Sequence, residues 1–283
     1  MTRFMLRYPE GKTKVLTFSY DDGVYSDIRF MEIMDKYGLR ATFNINGGIF
    51  CREENADDNP TRRLTKKEVY ELYAGSNHEV ALHGYGHAHV GDISASAVAY
   101  EYVKDREVLE EMFHRVVRGM AYPYGQFNDT VAEVVRNCGV VYGRTTRQTE
   151  NFKLPQDWVL LDPTCHHKNP RLMELAAKFT ETTVNFWDRP LFFYVWGHTY
   201  EFERENNWNI IEDFAKTVSG KEDVWYATNI EIYEYVEAYR RLVISIDSSI
   251  VRNPSAIPVW FCCVEDGKTY KIEPGETLYL PKV

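Results

Sequence analysis

The sequence predicts a (β/α) barrel, and two observations carry that prediction. Short apolar runs alternate with helical patterns over most of the 283 residues, and nearly every apolar run ends in a polar or reactive side chain. The runs lie at 14–20, 40–45, 79–82, 119–122, 140–145, 158–161, 191–196 and 224–227. Most are β-branched or aromatic, as buried parallel strands are. Patterns of helical period fill the gaps at 26–37, 65–74, 94–114, 129–138, 170–180, 208–219 and 229–239. Thr65 followed by Glu68 makes a capping box for the second of these. Asn128 or Asp129 starts the fourth, and Thr228 or Asn229 the last. Residues 147–157 read as loop.

The strand ends give the barrel its meaning. The first run ends at Asp21 and Asp22, the second at Asn44 and Asn46, the third at His83. The fourth runs into Tyr124-Gly125, the fifth into Arg144 and Thr146, and the sixth into Cys165-His166-His167. The seventh ends at His198 and the eighth at Asn229. In a barrel all of these converge on one mouth, where active sites are built. An open doubly wound sheet would spread them along a line. No Gly-x-Gly-x-x-Gly follows a strand, which argues against dinucleotide binding. From residue 242 the pattern changes to short alternations and turn pairs (Asn253-Pro254, Asp266-Gly267, Pro274-Gly275), so the tail reads as antiparallel strands packed on the barrel. The expected division is a barrel over 1–240 and a small β-rich appendage over 241–283.

The net charge of −9 gives no footprint for nucleic acid or an anionic membrane surface. No apolar stretch has the length of a membrane span. The five cysteines are scattered in a way that fits neither a disulfide framework nor a thiolate metal knuckle, and the first residues lack a signal-peptide pattern. The expectation is reduced thiols in a cytoplasmic protein.

Three sequence pieces carry chemistry. In His83-Gly84-Tyr85-Gly86-His87, glycines interrupt the spacing of four, so the pair sits on a loop that can turn both rings toward one ion. With Asp22 the two imidazoles satisfy Zn²⁺ and leave a position for water; Fe²⁺ would suit the same trio. Asp21 and Asp22 point differently at a strand end, so one can bind metal while Asp21 takes a proton from water. The alternative, a solvated Asp-Asp-Gly turn, fits poorly with the apolar residues Val15, Leu16 and Phe18 before it. His198 ends the most apolar run and precedes what reads as an open mouth loop. It is either a buried structural histidine or a proton donor to a leaving group, with Glu201 or Glu203 raising its pKa. Pro123-Tyr124-Gly125 is a rigid turn whose Tyr124 amide could face a developing oxyanion.

At these residues the chain resembles the polysaccharide deacetylases of the NodB-homology type, carbohydrate esterase family four. Thr17-Phe18-Ser19-Tyr20-Asp21-Asp22-Gly23 matches the family's Thr-Phe-Asp-Asp-Gly with a spacer longer by two. His83 to His87 matches its His-[Ser/Thr]-x-x-His, with Gly84 in the hydroxyl position. Pro123-Tyr124-Gly125 matches the end of Arg-x-Pro-[aromatic]-Gly, and Trp196-Gly197-His198 approximates Leu-x-His. The likeness runs from about residue 14 to 235. It implies a distorted (β/α) barrel of seven to eight strands and a divalent metal, most often zinc. It implies Asp22, His83 and His87 as ligands, Asp21 as base, His198 as acid, and removal of an N- or O-acetyl group from a sugar.

The chain departs from the pattern at Ala121, where the family places an Arg that steadies the catalytic Asp. The acidic residue that pairs with that Arg has no match, and Arg144 stands in its place. The guanidinium is therefore expected to have moved from the fourth strand to the fifth and still to reach Asp21. His166 and His167 lie outside the pattern and either line the cleft or sit on the surface. Trp196, Tyr200, Trp208 and Tyr85 are candidates for stacking on sugar faces. The expected substrate is an acetylated saccharide or another small amide. The other readings are hydrolysis of a cyclic imide or ureide, a degenerate carbohydrate-binding protein prompted by Ala121, and a non-haem iron oxygenase.

Overall fold

The computed structural model describes residues 4–281. Along them run β1 (Phe4–Arg7), β2 (Lys14–Asp21), α1 (Asp27–Lys36), β3 (Ala41–Ile45), α2 (Lys66–Tyr73), β4 (Glu79–Leu82), α3 (Ala95–Phe113) and β5 (Gly119–Ala121). Then follow α4 (Asp129–Asn137), β6 (Tyr142–Arg144), β7 (Cys165–His166), α5 (Leu172–Glu181), β8 (Leu191–Gly197), α6 (Tyr200–Glu205), α7 (Asn209–Val218), β9 (Val224–Tyr226) and α8 (Asn229–Arg240). The tail holds β10 (Val243–Ile244), β11 (Ile250–Arg252), β12 (Val259–Cys263), β13 (Thr269–Ile272) and β14 (Thr277–Tyr279).

β2 organises the barrel because all eight of its residues are buried and its alternation sorts them. Leu16, Phe18 and Tyr20 face the helices and join one core with Phe30 and Phe43. Thr17, Ser19 and Asp21 face the interior. There Thr17 Oγ1 donates to Asn229 Oδ1 at 2.9 Å, and Asn44 Nδ2 donates to Ser19 Oγ at 2.7 Å and to Asp21 Oδ1 at 2.8 Å. β8 covers one edge of β2 along its length. β9 and β3 divide the other edge, β9 beside Lys14–Leu16 and β3 beside Phe18–Asp21.

The sheet order is β6-β5-β4-β3-β2-β8-β7, with β9 on β2, and every pair is parallel. Its ends nearly meet. Leu161 bridges Arg144 of β6 in parallel, and a few residues later Cys165–His166 pairs with β8. The result is a curled α/β barrel with a seam between β6 and β7, in line with the distorted barrel expected.

Three details differ from the sequence reading. The strand expected over 158–161 is a 3-10 turn at Trp158–Leu160, because Asp157 accepts the Val159 N–H at 3.0 Å and caps a turn. Pairing with β8 falls instead to two residues at 165–166. The mouth loop expected after His198 is a helix from Tyr200, pinned by the buried Phe202. The predicted caps are present: Thr65 and Thr228 each form a capping box, and Asn128 accepts the Val131 N–H.

The tail forms two three-stranded sheets, β1-β12-β13 and β10-β11-β14, antiparallel throughout. The N-terminal strand β1 therefore joins the tail's sheet, which a division at residue 240 does not anticipate. Four residues are too few to show a strand period. Residues 1–3 and 282–283, which that division also assigns, lie outside the described residues. No helix among the described residues is long and apolar enough to cross a membrane.

Candidate metal centre and catalytic site

Asp22, His83 and His87 converge although they come from two strand ends and one loop. His83 Nε2 and His87 Nε2 lie 3.2 Å apart. Asp22 Oδ1 is 3.9 Å from the first and 3.6 Å from the second. Three donors bonded to one tetrahedral ion at ~2.0–2.1 Å would stand about 3.3 Å apart, so the set fits a divalent metal. The tautomer of His83 fits as well. Its Nδ1 lies 3.0 Å from the Ala121 carbonyl oxygen, which can only accept, so the proton sits on Nδ1 and the Nε2 lone pair faces the other ligands. Burial holds the His83 ring below its usual pKa, and burial together with His83 pushes His87 down to about 4, so both rings stay neutral as ligands must.

The backbone is strained where these side chains are presented. Asp22, His87 and Tyr124 all take positive φ, at 86°, 55° and 57°. Non-glycine residues in this region cost about 1–3 kcal/mol each and persist where the surrounding structure over-determines them. Gly84, at φ 76°, gives the turn between the two histidines the freedom that a side chain would deny.

Asp21, one residue away, lies 3.7 Å from His83 Nε2 through Oδ2 but takes its hydrogen bonds from other groups. Its Oδ2 accepts a hydrogen bond from Arg144 Nη2, both groups being buried. Its Oδ1 accepts from Asn44. Burial alone would raise its pKa, but Arg144, with His83 and His198, overrides burial and holds the carboxyl at about 2. The source of the guanidinium follows from register, since Arg144 on β6 is the direct partner of Ala121 on β5. The guanidinium lies 4.4 Å from the Trp196 ring; among the described residues Nη2 is hydrogen-bonded, while Nε and Nη1 have no partner.

His198 stands across from Asp21, with Nε2 at 3.8 Å from Asp21 Oδ2. Its Nδ1 is 3.4 Å from Glu201 Oε2, and its backbone N–H donates to the same oxygen at 3.2 Å. Burial opposes the charged ring, but Glu201 and Asp21 outweigh it and raise the His198 pKa. Of the two glutamates considered from sequence, Glu201 is the one that reaches the ring. Tyr124 lies beside the ligands: its ring stacks on His89 at 4.0 Å and sits 4.5 Å from His87.

Several groups behave otherwise than the sequence suggested. His166 and His167 are not surface residues. His167 is buried and packs on both Tyr20 and Phe202, and both histidines approach Glu201, at 3.2 and 3.3 Å. Trp208 is buried against Phe202, and Trp196 is 8% exposed beneath Arg144, so neither offers a free face to a sugar. Tyr124 is 57% exposed, with one ring face on His89.

Two buried carboxyls that sequence reasoning passed over tie the strand ends together. Asp105 accepts from the Gly47 N–H at 2.6 Å and the His83 N–H at 3.0 Å, joining the turns after β3 and β4. Asp27 accepts from the Val24 N–H at 3.1 Å, Tyr73 Oη at 2.7 Å and Thr199 Oγ1, joining the turns after β2 and β8. Burial raises both, to about 8 and about 7. Asp105 had a signal in the sequence: it falls on the apolar stripe of α3 with Val98, Tyr102, Leu109 and Met112.

Residues 8–143 match the family model described as polysaccharide deacetylase. Over that stretch, just under half of the chain, the sequence is similar to the polysaccharide deacetylases. The chain is 23% identical over 143 residues to YxkH of Bacillus subtilis (strain 168), assigned as a polysaccharide deacetylase; the match spans 49% of this chain and 46% of YxkH, so the chain covers less than half the length of that relative. The fold recurs in a Mycobacterium smegmatis protein assigned as a polysaccharide deacetylase, with a TM-score of 0.56 at 17% identity over 83% of this chain and 94% of that one. It recurs also in the Xyl-CE4 domain of a multidomain xylanase from the hindgut metagenome of Trinervitermes trinervoides, with a TM-score of 0.52 at 14% identity over 80% of this chain and 92% of that domain. The fold is thus shared at low identity, and the site rests on this chain's own residues.

Proposed function

We propose that this chain is a metal-dependent hydrolase that removes an acetyl group, N- or O-linked, from a saccharide. The observation that carries the reading is the adjacency of two differently wired carboxylates. Asp22 faces His83 and His87, while Asp21 is held as a charged base by Arg144. A divalent cation, zinc in this proposal, would be held by Asp22, His83 and His87 and would supply Lewis acidity to the attacking water and the acyl oxygen.

The remaining steps belong to the chain. Asp21 takes a proton from the water as it attacks the acyl carbon; its low pKa keeps it free to do so near neutrality. The carbonyl oxygen gains negative charge, which the Tyr124 amide is proposed to meet. His198, kept protonated by Glu201, gives a proton to the departing amine or alcohol. The C–N or C–O bond breaks, leaving acetate and a free amino or hydroxyl group. Arg144 also weakens the motive for a degenerate binding protein, because the guanidinium missing at Ala121 is present one strand over.

The test is acetate release from acetylated chito-oligosaccharides and from acetylated xylan fragments, with and without a chelator. Release that stops with chelator and returns with Zn²⁺ or Co²⁺ supports the reading. Turnover of a cyclic imide or ureide with no acetate from any sugar would replace it.

A further inference from the structure

Besides the two imidazoles, the Asp22 carboxylate has a cation of the chain as partner. Arg63 lies in the segment between β3 and α2, where its backbone forms an antiparallel bridge with Val24 beside the Asp21-Asp22-Gly23 turn. Its Nη2 donates to Asp22 Oδ1 at 2.8 Å. Its Nη1 donates to the Asp22 carbonyl oxygen and, at 2.8 Å, to Asn46 Oδ1. Asn46 in turn donates through Nδ2 to the carbonyl oxygens of His83 and Gly84, at 2.5 and 2.7 Å. The guanidinium therefore grips the turn that presents Asp22 and, through Asn46, the turn that presents His83.

The oxygen it grips matters most. Asp22 Oδ1 is also the oxygen that faces both imidazoles, 3.6 Å from His87 Nε2 and 3.9 Å from His83 Nε2. It is the one anionic donor in the ligand set, since both imidazoles are neutral. A hydrogen-bond acceptor behind a ligating histidine raises the ligand's donor strength. A guanidinium on the carboxylate does the opposite: it draws on the same lone pairs and places a positive charge beside the incoming ion. Arg63 is about a quarter exposed, so solvent weakens that repulsion without removing it.

We infer that Arg63 sets the metal affinity of this site, fixing the Asp22 carboxylate in place while offsetting its charge, so that the three ligands bind a divalent ion less tightly than they otherwise would. The inference rests on the assignment of Asp22, His83 and His87 as ligands. It makes the ion exchangeable by construction, with orientation and affinity controlled by one side chain.

The experiment measures the Zn²⁺ dissociation constant of chelator-stripped full chain by competition with a chromophoric chelator, for wild type, R63Q and R63K. R63Q removes the charge and keeps a donor, and should bind Zn²⁺ at least about tenfold tighter. R63K keeps the charge and loses the fork, and should stay within about threefold of wild type. R63Q binding no tighter than wild type overturns the inference while leaving the ligand assignment intact. If R63Q does not fold, R63K still decides, since a change beyond about threefold would show that the fork and not the charge controls affinity. Wild type that binds no Zn²⁺ overturns both the ligand assignment and this inference.

Discussion

Two clusters of imidazole and carboxylate stand at the mouth of this barrel, and by distance alone they are hard to tell apart. Asp22, His83 and His87 form one; His166, His167 and Glu201 form the other. In the second, His166 Nε2 and His167 Nε2 lie 3.2 and 3.3 Å from Glu201 Oε2, closer than the corresponding distances in the first. The far side of the ring separates them. His83 Nδ1 must donate to a carbonyl, which frees Nε2 as a lone-pair donor. His166 Nδ1 lies 3.1 Å from the Lys168 backbone N–H, which can only donate, so Nδ1 accepts and Nε2 carries the proton. That nitrogen can give a hydrogen bond to Glu201 but has no lone pair for a metal. Lys168 Nζ, 3.0 Å from Glu201 Oε1, adds a resident cation. The first cluster is wired to receive an ion and the second to surround a carboxylate with donors. Spacing shows where ligands could meet, but the partner of the second ring nitrogen shows what they can bind.

The largest effect that would break this comparison is in metal content. Purified, dialysed H83A should lose its ion and fall to background in acetate release, whereas H166A should retain about one ion per chain; elemental analysis of both proteins checks this. A second ion in wild type that disappears in H166A would erase the distinction.

The next effect concerns the carboxylate beside the first cluster. R144A leaves the Asp21 charge buried without its partner, so stability should drop by about 3–5 kcal/mol in urea titrations, and turnover should fall with it. R144A that is as stable and active as wild type would show that Asp21 does not depend on that guanidinium.

The smallest effect sharpens the role of the second cluster. Glu201 raises the His198 pKa, so the protonated ring survives to higher pH and is lost as pH rises through that value. In E201Q the ring gives up its proton earlier. The alkaline limb of the kcat/KM profile should move to lower pH, with metal content unchanged. An unmoved limb would separate Glu201 from the proton donor.

These wirings also explain what the sequence could and could not reveal. The barrel was readable because burial on both faces makes a strand such as β8 almost continuously apolar, and because reactive residues cluster at the strand ends. His83 and His87 were readable as candidates because their spacing is local, and Asp22 because it stands beside a second aspartate at a strand end. Arg144 could be anticipated only because a guanidinium was missing at position 121. The supports were harder to see. Arg63 acts across 41 residues of chain, and nothing in its neighbours distinguishes it from a solvated charge; Glu201 could be named from its nearness to His198, but only alongside Glu203. Asp105 left a trace as a carboxylate on an apolar stripe, but its partners are backbone amides of turns far away in sequence. The two-residue β7 carries too few positions for any pattern, so the seam of the barrel was misplaced to the preceding apolar run.

The strand at the front of the chain changes what the tail is for. β1 is hydrogen-bonded to β12, and α8 reaches it as well, with Tyr235 Oη donating to the Arg7 carbonyl at 2.7 Å and Tyr239 Oη to that of Phe4 at 2.9 Å. Arg7 then fastens the 185–188 turn through the carbonyls of Asn185, Phe186 and Asp188. Beginning and end are thus knotted into one clasp. Shortening the protein after residue 240 would strip a partner from Phe4 and Leu6, uncover their apolar side chains, and slacken the tie on a turn next to the barrel, so any engineered fusion or minimal version has to carry both ends together.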